Sequence, residues 1–131
     1  MERDETRSRD ANAVRWADLP VGARLFRVAH AVWGTFNIAA LGLIWQSGIR
    51  RSRDPLVYAS MALLSIEGVA LVVGRGDCPF GPFQARLGDP TPMFELVLPP
   101  RAAKAAIPIL TAVSLAGFAA VFLRPPVADS T

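Results

Sequence analysis

The sequence predicts an all-α membrane protein. Three transmembrane helices are expected, with a proline-rich loop and a short interfacial helix between the second and the third. Three observations carry this reading. Apolar residues gather in blocks at 28–49, 56–73 and 105–123, each long enough at ~1.5 Å per residue to cross a ~30 Å hydrocarbon layer. Charged residues, 19% of the chain, lie almost wholly between those blocks. The third block has only Thr111 and Ser114 as polar groups. A core helix of a water-soluble bundle would keep a polar stripe on its solvent face.

With 131 residues the chain holds one domain, read as 16–124, between a disordered tail at 1–15 and a C-terminal tail at 125–131. Residues 1–13 alternate acid and arginine with no apolar period, which excludes a secretory leader over this stretch. The formal net charge is +3, and nearly all cations are arginines that flank the apolar blocks. They interleave with no aromatic patch, so the partner they imply is the lipid headgroup layer and not nucleic acid. A single cysteine, Cys78, excludes an intrachain disulfide, and no Cys/His cluster has metal-ligand spacing. The sequence names no cofactor.

Before the first span, Asp18-Leu19-Pro20 reads as a helix start, with Asp18 as cap and Pro20 in the first turn. Arg24 and Arg27 are expected at the headgroups. His30, Gly34, Asn37 and Leu41, spaced by four, three and four, share one face, which must turn inward because lipid leaves His30 and Asn37 unsatisfied. Residues 48–55 form a tight connection carrying Arg50, Arg51 and Arg53, and Asp54-Pro55 starts the second helix. Trp45 and Tyr58 suit an aromatic belt at that end. In the second span Ser60, Glu67 and Gly74 recur every seven residues on one face. A carboxyl deep in a span costs about 2.5–3.5 kcal/mol and normally faces protein. Depth places Glu67 between His30 and Asn37, so the expectation is an intramembrane polar cluster of His30, Asn37 and Glu67.

Prolines 79, 82, 90, 92, 99 and 100 forbid a long helix over 75–104. This segment should fold back onto the bundle, since Phe80, Phe83, Phe94, Leu96 and Leu98 are too apolar to leave in water. Asp77 and Asp89 read as turn formers. In the third span Ala112, Ala116 and Ala120, beside Gly117, form a small-residue row for close helix approach. Ten Lys/Arg (3, 7, 9, 15, 24, 27, 75, 86, 101 and 104) lie on the N-terminal side and four (50, 51, 53 and 124) opposite. The positive-inside rule then puts the N-terminus in the cytoplasm. The dense cluster at 50–53, in a very short loop, pulls the other way.

The candidate loop motif is Cys78, Pro79, Pro82 and Gln84, with Glu95 further on. The stretch Cys78-Pro79-Phe80-Gly81-Pro82-Phe83-Gln84, followed by Phe94-Glu95 and Leu98-Pro99, resembles a domain-of-unknown-function family of small bacterial integral membrane proteins. That family carries Cys-Pro-Leu-Thr-Pro-Leu-Glu after its second span, and the likeness covers roughly residues 25–123, with counterparts for His30 and Glu67. Gly81 stands for the usual Thr and Gln84 for the usual Glu. Leu96 stands where the family tends to have His, which removes one half of any two-His site. The resemblance implies a cytoplasmic-membrane architecture and no reaction.

Three kinds of function fit the residues. One is a non-catalytic subunit or accessory of a membrane complex. The second is a redox or ligand-binding protein, or an enzyme, using Glu67, His30 and Cys78. The third is a proton or small-solute path through Glu67, which needs a homo-oligomer because three spans enclose no path. With a lone cysteine at 78 there is no resolving thiol for two-cysteine redox chemistry.

Overall fold

The computed structural model describes residues 16–75 and 79–128. The expected 1–15 tail and Cys78 lie outside them. After a 3₁₀ turn at Trp16–Asp18 come α1 (Val21–Arg50), α2 (Pro55–Val73), α3 (Gly81–Arg86), a 3₁₀ turn at Met93–Leu96 and α4 (Pro100–Leu123). The all-α class holds: every element among the described residues is helical, and α1, α2 and α4 are long and apolar enough to cross a membrane.

Helix α1 is the hub. It packs along α2 on one side and α4 on the other, while α2 and α4 meet only sparsely. Ile44 opposite Val57, and Trp33 opposite Glu67, make α1 and α2 antiparallel. Gly48 against Ala120, and Trp45 against Gly117, make α1 and α4 parallel. The order is therefore up, down, up. The start of α1, the end of α2 and the 79–99 segment lie at one end of the bundle.

At the opposite end, Ile44, Val57, Met61 and Val121 form a buried cluster, with Leu64 and Phe118 packed on it. Five residues before the end of α1, the indole of Trp45 crosses to α4 and donates to the Val113 carbonyl at 3.1 Å. Gly117, one turn on, makes that possible, since a Cβ there would stand 3.0 Å from Trp45 Nε1. A Cβ on Gly48 would likewise stand 3.0 Å from Ala120. Close approach of α1 and α4 thus runs through Gly48, Gly117 and Ala120. Ala112 and Ala116 face outward, which corrects the expected alanine row. Trp45 is an interhelical strut more than a belt residue.

Several boundaries differ from the sequence reading, each for a local reason. Helix α1 begins at Val21 with Pro20 at the cap position and no side-chain cap, so Asp18 ends the preceding 3₁₀ turn instead. The early start is held by packing, with Leu19 and Ala23 buried. At its far end α1 runs through Gly48 to Arg50, and Arg51 closes it in the left-handed conformation (φ 55°). Asp54 caps α2 as expected, accepting from the N–H groups of Leu56 and Val57 at 3.1 and 3.2 Å. The segment after α4, read as a loose tail, is pinned through residue 127. Arg51 Nε donates to the Pro125 carbonyl at 2.9 Å, and Val127 N–H to the Arg51 carbonyl at 3.3 Å.

Candidate functional site

The polar and aromatic side chains that the sequence singled out gather around the first half of α1, in two levels. The upper level is where 79–99 docks. This segment does fold back: α3 and the Met93–Leu96 turn pack on α1, and that turn also packs on α4. Positions 23 and 27 of α1 lie one turn apart on the docking face. Arg27 points from that face into the segment and pairs bidentately with Asp89, Nε to Oδ2 at 2.8 Å and Nη2 to Oδ1 at 2.6 Å. Such fork-to-carboxylate geometry is the strong form of the ion pair.

The remaining valences of Asp89 are filled locally. Gln84 Nε2 donates to Asp89 Oδ2 and to the Thr91 carbonyl, both at 2.9 Å, and Thr91 N–H reaches Asp89 Oδ1 at 3.3 Å. Asp89 is 1% exposed and Gln84 3%. Burial by itself raises the Asp89 pKa. The side-chain bonds from Arg27 and Gln84, the Thr91 N–H and the guanidinium charge outweigh it and hold the carboxyl below its ordinary value. Gly88 turns the chain between α3 and Asp89 at φ +97°, a conformation open to glycine, and sits against Pro20, whose Cγ would be 3.2 Å from an added Cβ.

Beside this clamp lies an aromatic group. Phe26 meets Phe83 edge-on with centroids 5.3 Å apart, and His30 at 5.8 Å; Phe80 lies 6.2 Å from Phe26 and 6.4 Å from His30. Edge-to-face contacts of this kind add to simple burial. Phe80 and Phe83 each remain half exposed. Helix α3 is short, and Pro82 sits in its first turn where no N–H is needed.

The lower level is one to two turns deeper. Glu67 faces α1 as expected, but its hydrogen bond is with Trp33, whose Nε1 donates to Oε2 at 2.9 Å. Trp33 lies between the two partners the spacing suggested, His30 and Asn37. Asn37 donates from Nδ2 to the Trp33 carbonyl at 3.0 Å. Leu41 is buried and His30, Gly34 and Asn37 are half-buried, with open space where a Gly34 Cβ would stand, so their shared face turns only partly inward. The structure therefore separates the predicted cluster: His30 joins the aromatic group, Glu67 bonds the Trp33 indole across the helices, and Asn37 bonds back to the Trp33 carbonyl within α1.

Of the loop motif, Gln84 is integral to the clamp, Pro79 and Pro82 are exposed, and Glu95 is half-buried in the 3₁₀ turn. Arg27 and Asp89 were missed as a pair. Arg27 is buried against the 79–99 segment, and Asp89 is an ion-pair anchor and not merely a turn former. Their separation of 62 residues leaves no spacing signal; the one available hint was an arginine on the same helical face as His30. Among the described residues no group of three or more His, Cys, Asp or Glu is placed to hold a metal ion. Comparison with protein-family models, curated protein sequences and solved structures returned no match.

Proposed function

We propose that the chain is a multi-pass protein of the bacterial cytoplasmic membrane, with its N-terminus and the 79–99 segment on the cytoplasmic side, acting as a non-catalytic subunit or accessory of a larger membrane complex. The clamp carries this reading. Arg27, Asp89 and Gln84 bond one another, so their chemistry is directed at holding 79–99 in one place. The result is a fixed end surface on which Phe80, Phe83 and Val97 remain exposed. Rigid display of apolar side chains beside a membrane suits docking more than turnover. The likeness of the Cys78–Gln84 motif to the small membrane-protein family belongs to the same proposal.

The test is mild extraction of the full chain from its native membrane, with quantitative mass spectrometry of co-purifying proteins, for the parent and for Asp89→Asn. The reading expects a defined set of proteins that falls away in the variant while the chain stays in the membrane. Identical recovery from both, or elution of the chain alone, overturns it.

A second reading has one observation in its favour. Phe80, two residues after Cys78 in sequence, contacts the His30 ring. This supports a ligand-binding or redox role for His30, Cys78 and Glu67. An optical absorption band that co-purifies with the chain and vanishes in His30→Ala would favour it over the first.

A further inference from the structure

We infer that the cleft at the α1–α2 turn binds a phosphoethanolamine headgroup, a phosphodiester anion joined to a primary ammonium, presented by a membrane phospholipid. The inference rests on reading α1 and α2 as membrane spans. It depends neither on the partner complex proposed above nor on the orientation of the chain.

The cleft has a volume of about 110 Å³. Leu43 and Val57 form its apolar side, and Gln46, Arg50, Ser52 and Asp54 bring polar groups to it. Arg50 and Asp54 carry opposite charges and line the same small space, yet no ion pair joins them. Each keeps open valences. Asp54 accepts the Leu56 and Val57 N–H groups through Oδ1, which leaves Oδ2. The Arg50 guanidinium, the Gln46 amide and the Ser52 hydroxyl have no hydrogen-bond partner among the described residues. The other two arginines of the turn differ, since Arg51 and Arg53 are engaged on the carbonyls of Pro125 and Val121.

A cation and a carboxylate that share a cleft without touching fit a ligand bearing both charges. A lone anion would meet Asp54, and a lone cation would meet Arg50. A phosphodiester accepts from the Arg50 guanidinium, with Gln46 and Ser52 as further donors. A primary ammonium donates to Asp54 Oδ2. A choline group has no N–H to donate and is bulkier, and a glycerol headgroup brings no cation.

The position of the cleft selects a lipid as the source. Arg50 ends α1 and Asp54 caps α2, so the cleft lies at headgroup level, where both spans leave the hydrocarbon. From Asp54 an apolar depression continues over Pro55, Leu56 and Ala59, along the first turns of α2. It leads from the headgroup toward the hydrocarbon and gives the start of an acyl chain an apolar wall.

Native mass spectrometry tests this on the purified full chain, offered equimolar phosphatidylethanolamine, phosphatidylglycerol and phosphatidylcholine with the same acyl chains. The ethanolamine lipid should be retained about fivefold over each of the others, the range expected of exposed charge pairs. Arg50→Gln should abolish that preference. Arg124→Gln, at the same end of the bundle but outside the cleft, should leave it intact. Asp54→Asn keeps a capping acceptor and removes the charge, so it should raise the glycerol lipid to the level of the ethanolamine lipid; Asp54→Ser, also a capping residue, should do the same. Soluble glycerophosphoethanolamine should compete only weakly, because it lacks the acyl chain. Equal retention of the three lipids would overturn the inference, as would a preference that survives both Arg50→Gln and Asp54→Asn. An equal loss in Arg124→Gln would overturn it too, by showing a general attraction to the cationic end. Competition by glycerophosphoethanolamine as strong as by the lipid would overturn the lipid source. Recovery of partner proteins is a separate readout, so failure here leaves the complex reading standing.

Discussion

Asp89→Asn is the sharpest perturbation of the clamp. Four donor atoms converge on the carboxylate: Arg27 Nε and Nη2, Gln84 Nε2 and the Thr91 N–H, at 2.8, 2.6, 2.9 and 3.3 Å. Asparagine keeps one acceptor. With its carbonyl at the Oδ1 position it retains Arg27 Nη2 and Thr91, but its amide nitrogen then faces Arg27 Nε and Gln84 Nε2, donor against donor. Two hydrogen bonds to a charged group at about 1.5–3 kcal/mol each set an upper bound near 3–6 kcal/mol. Breaking a buried pair by removing one charge costs about 3–5 kcal/mol. The Arg27 side chain is 11% exposed and near the end of the bundle, so it can swing toward headgroups and recover part of that. The expected loss is about 2–3 kcal/mol, or roughly 30- to 150-fold in the local opening equilibrium.

The damage should stay local, because the Ile44–Val57–Met61–Val121 cluster lies at the other end of the bundle. Hydrogen exchange of the chain in lipid nanodiscs reads this directly. Amides of Gln84, Leu87 and Asp89, all hydrogen-bonded within the segment, should exchange faster by the stated factor, while those of 44–48 and 117–121 stay at the parent rate. Exchange over 79–99 within about threefold of the parent would refute the energetic role given to the pair. The double replacement Arg27→Met with Asp89→Leu leaves no stranded charge and should be less disruptive than either single change.

Three further outcomes follow from the same geometry. Because the folded Asp89 pKa is depressed, its contribution is fully present above the ordinary carboxylate value and is lost as pH falls through the lower folded value; the fluorescence of Phe83→Trp should hold steady from neutral pH down to about 4 and change only below it. Gly88→Ala forces a non-glycine residue to φ +97° and sets its Cβ 3.2 Å from Pro20 Cγ, so the segment should loosen by about 1–3 kcal/mol in the same exchange experiment. Gly117→Ala puts a Cβ 3.0 Å from Trp45 Nε1 and 3.2 Å from Ile44 Cγ2, and should cost about 1–3 kcal/mol in detergent melting with a shift in Trp45 emission; unchanged emission would mean the helices do not meet as described.

The spans were legible because lipid demands a continuous apolar length, and that length is written residue by residue in 28–49, 56–73 and 105–123. Asp54 was legible as a cap because its signal is local, a short acceptor directly before Pro55. Glu67 facing α1 was legible from the expense of a carboxyl in lipid, but its partner was not. Depth arithmetic brings a whole turn of α1 level with it, and Trp33 was passed over because indoles read first as apolar. The clamp was illegible for a different reason. Arg27 at a helix end and Asp89 in a turn each have a sufficient local explanation, and only the fold-back of 79–99 brings them together. The alanine row failed because helical spacing fixes which residues share a face, not which face meets a neighbour; Ala120 and Gly117 are used, and Ala112 and Ala116 are not.

The arginines at the far end bear on orientation. Arg50, Arg51 and Arg53 in a short connection weigh against a cytoplasmic N-terminus if they are there only for topology. Two of them have another use. Arg53 Nη2 donates to the Val121 carbonyl at 2.7 Å, and Arg51 Nε to the Pro125 carbonyl at 2.9 Å. Both guanidiniums sit at the C-terminal end of α4, where open carbonyls and the helix dipole favour positive charge. Folding thus accounts for their position. At the other end Arg75, Arg86, Arg101 and Lys104 are exposed, and among the described residues none of them has a carboxylate within ion-pair distance. That contrast supports the proposed cytoplasmic N-terminus. Single cysteines at Ser52 and at Arg86, in a Cys78→Ser background, should react with a membrane-impermeant maleimide from opposite sides of intact cells, Ser52→Cys from outside and Arg86→Cys only after lysis. Reaction of both from one side would refute the three-span arrangement, and the reverse pattern would keep the spans and invert the orientation.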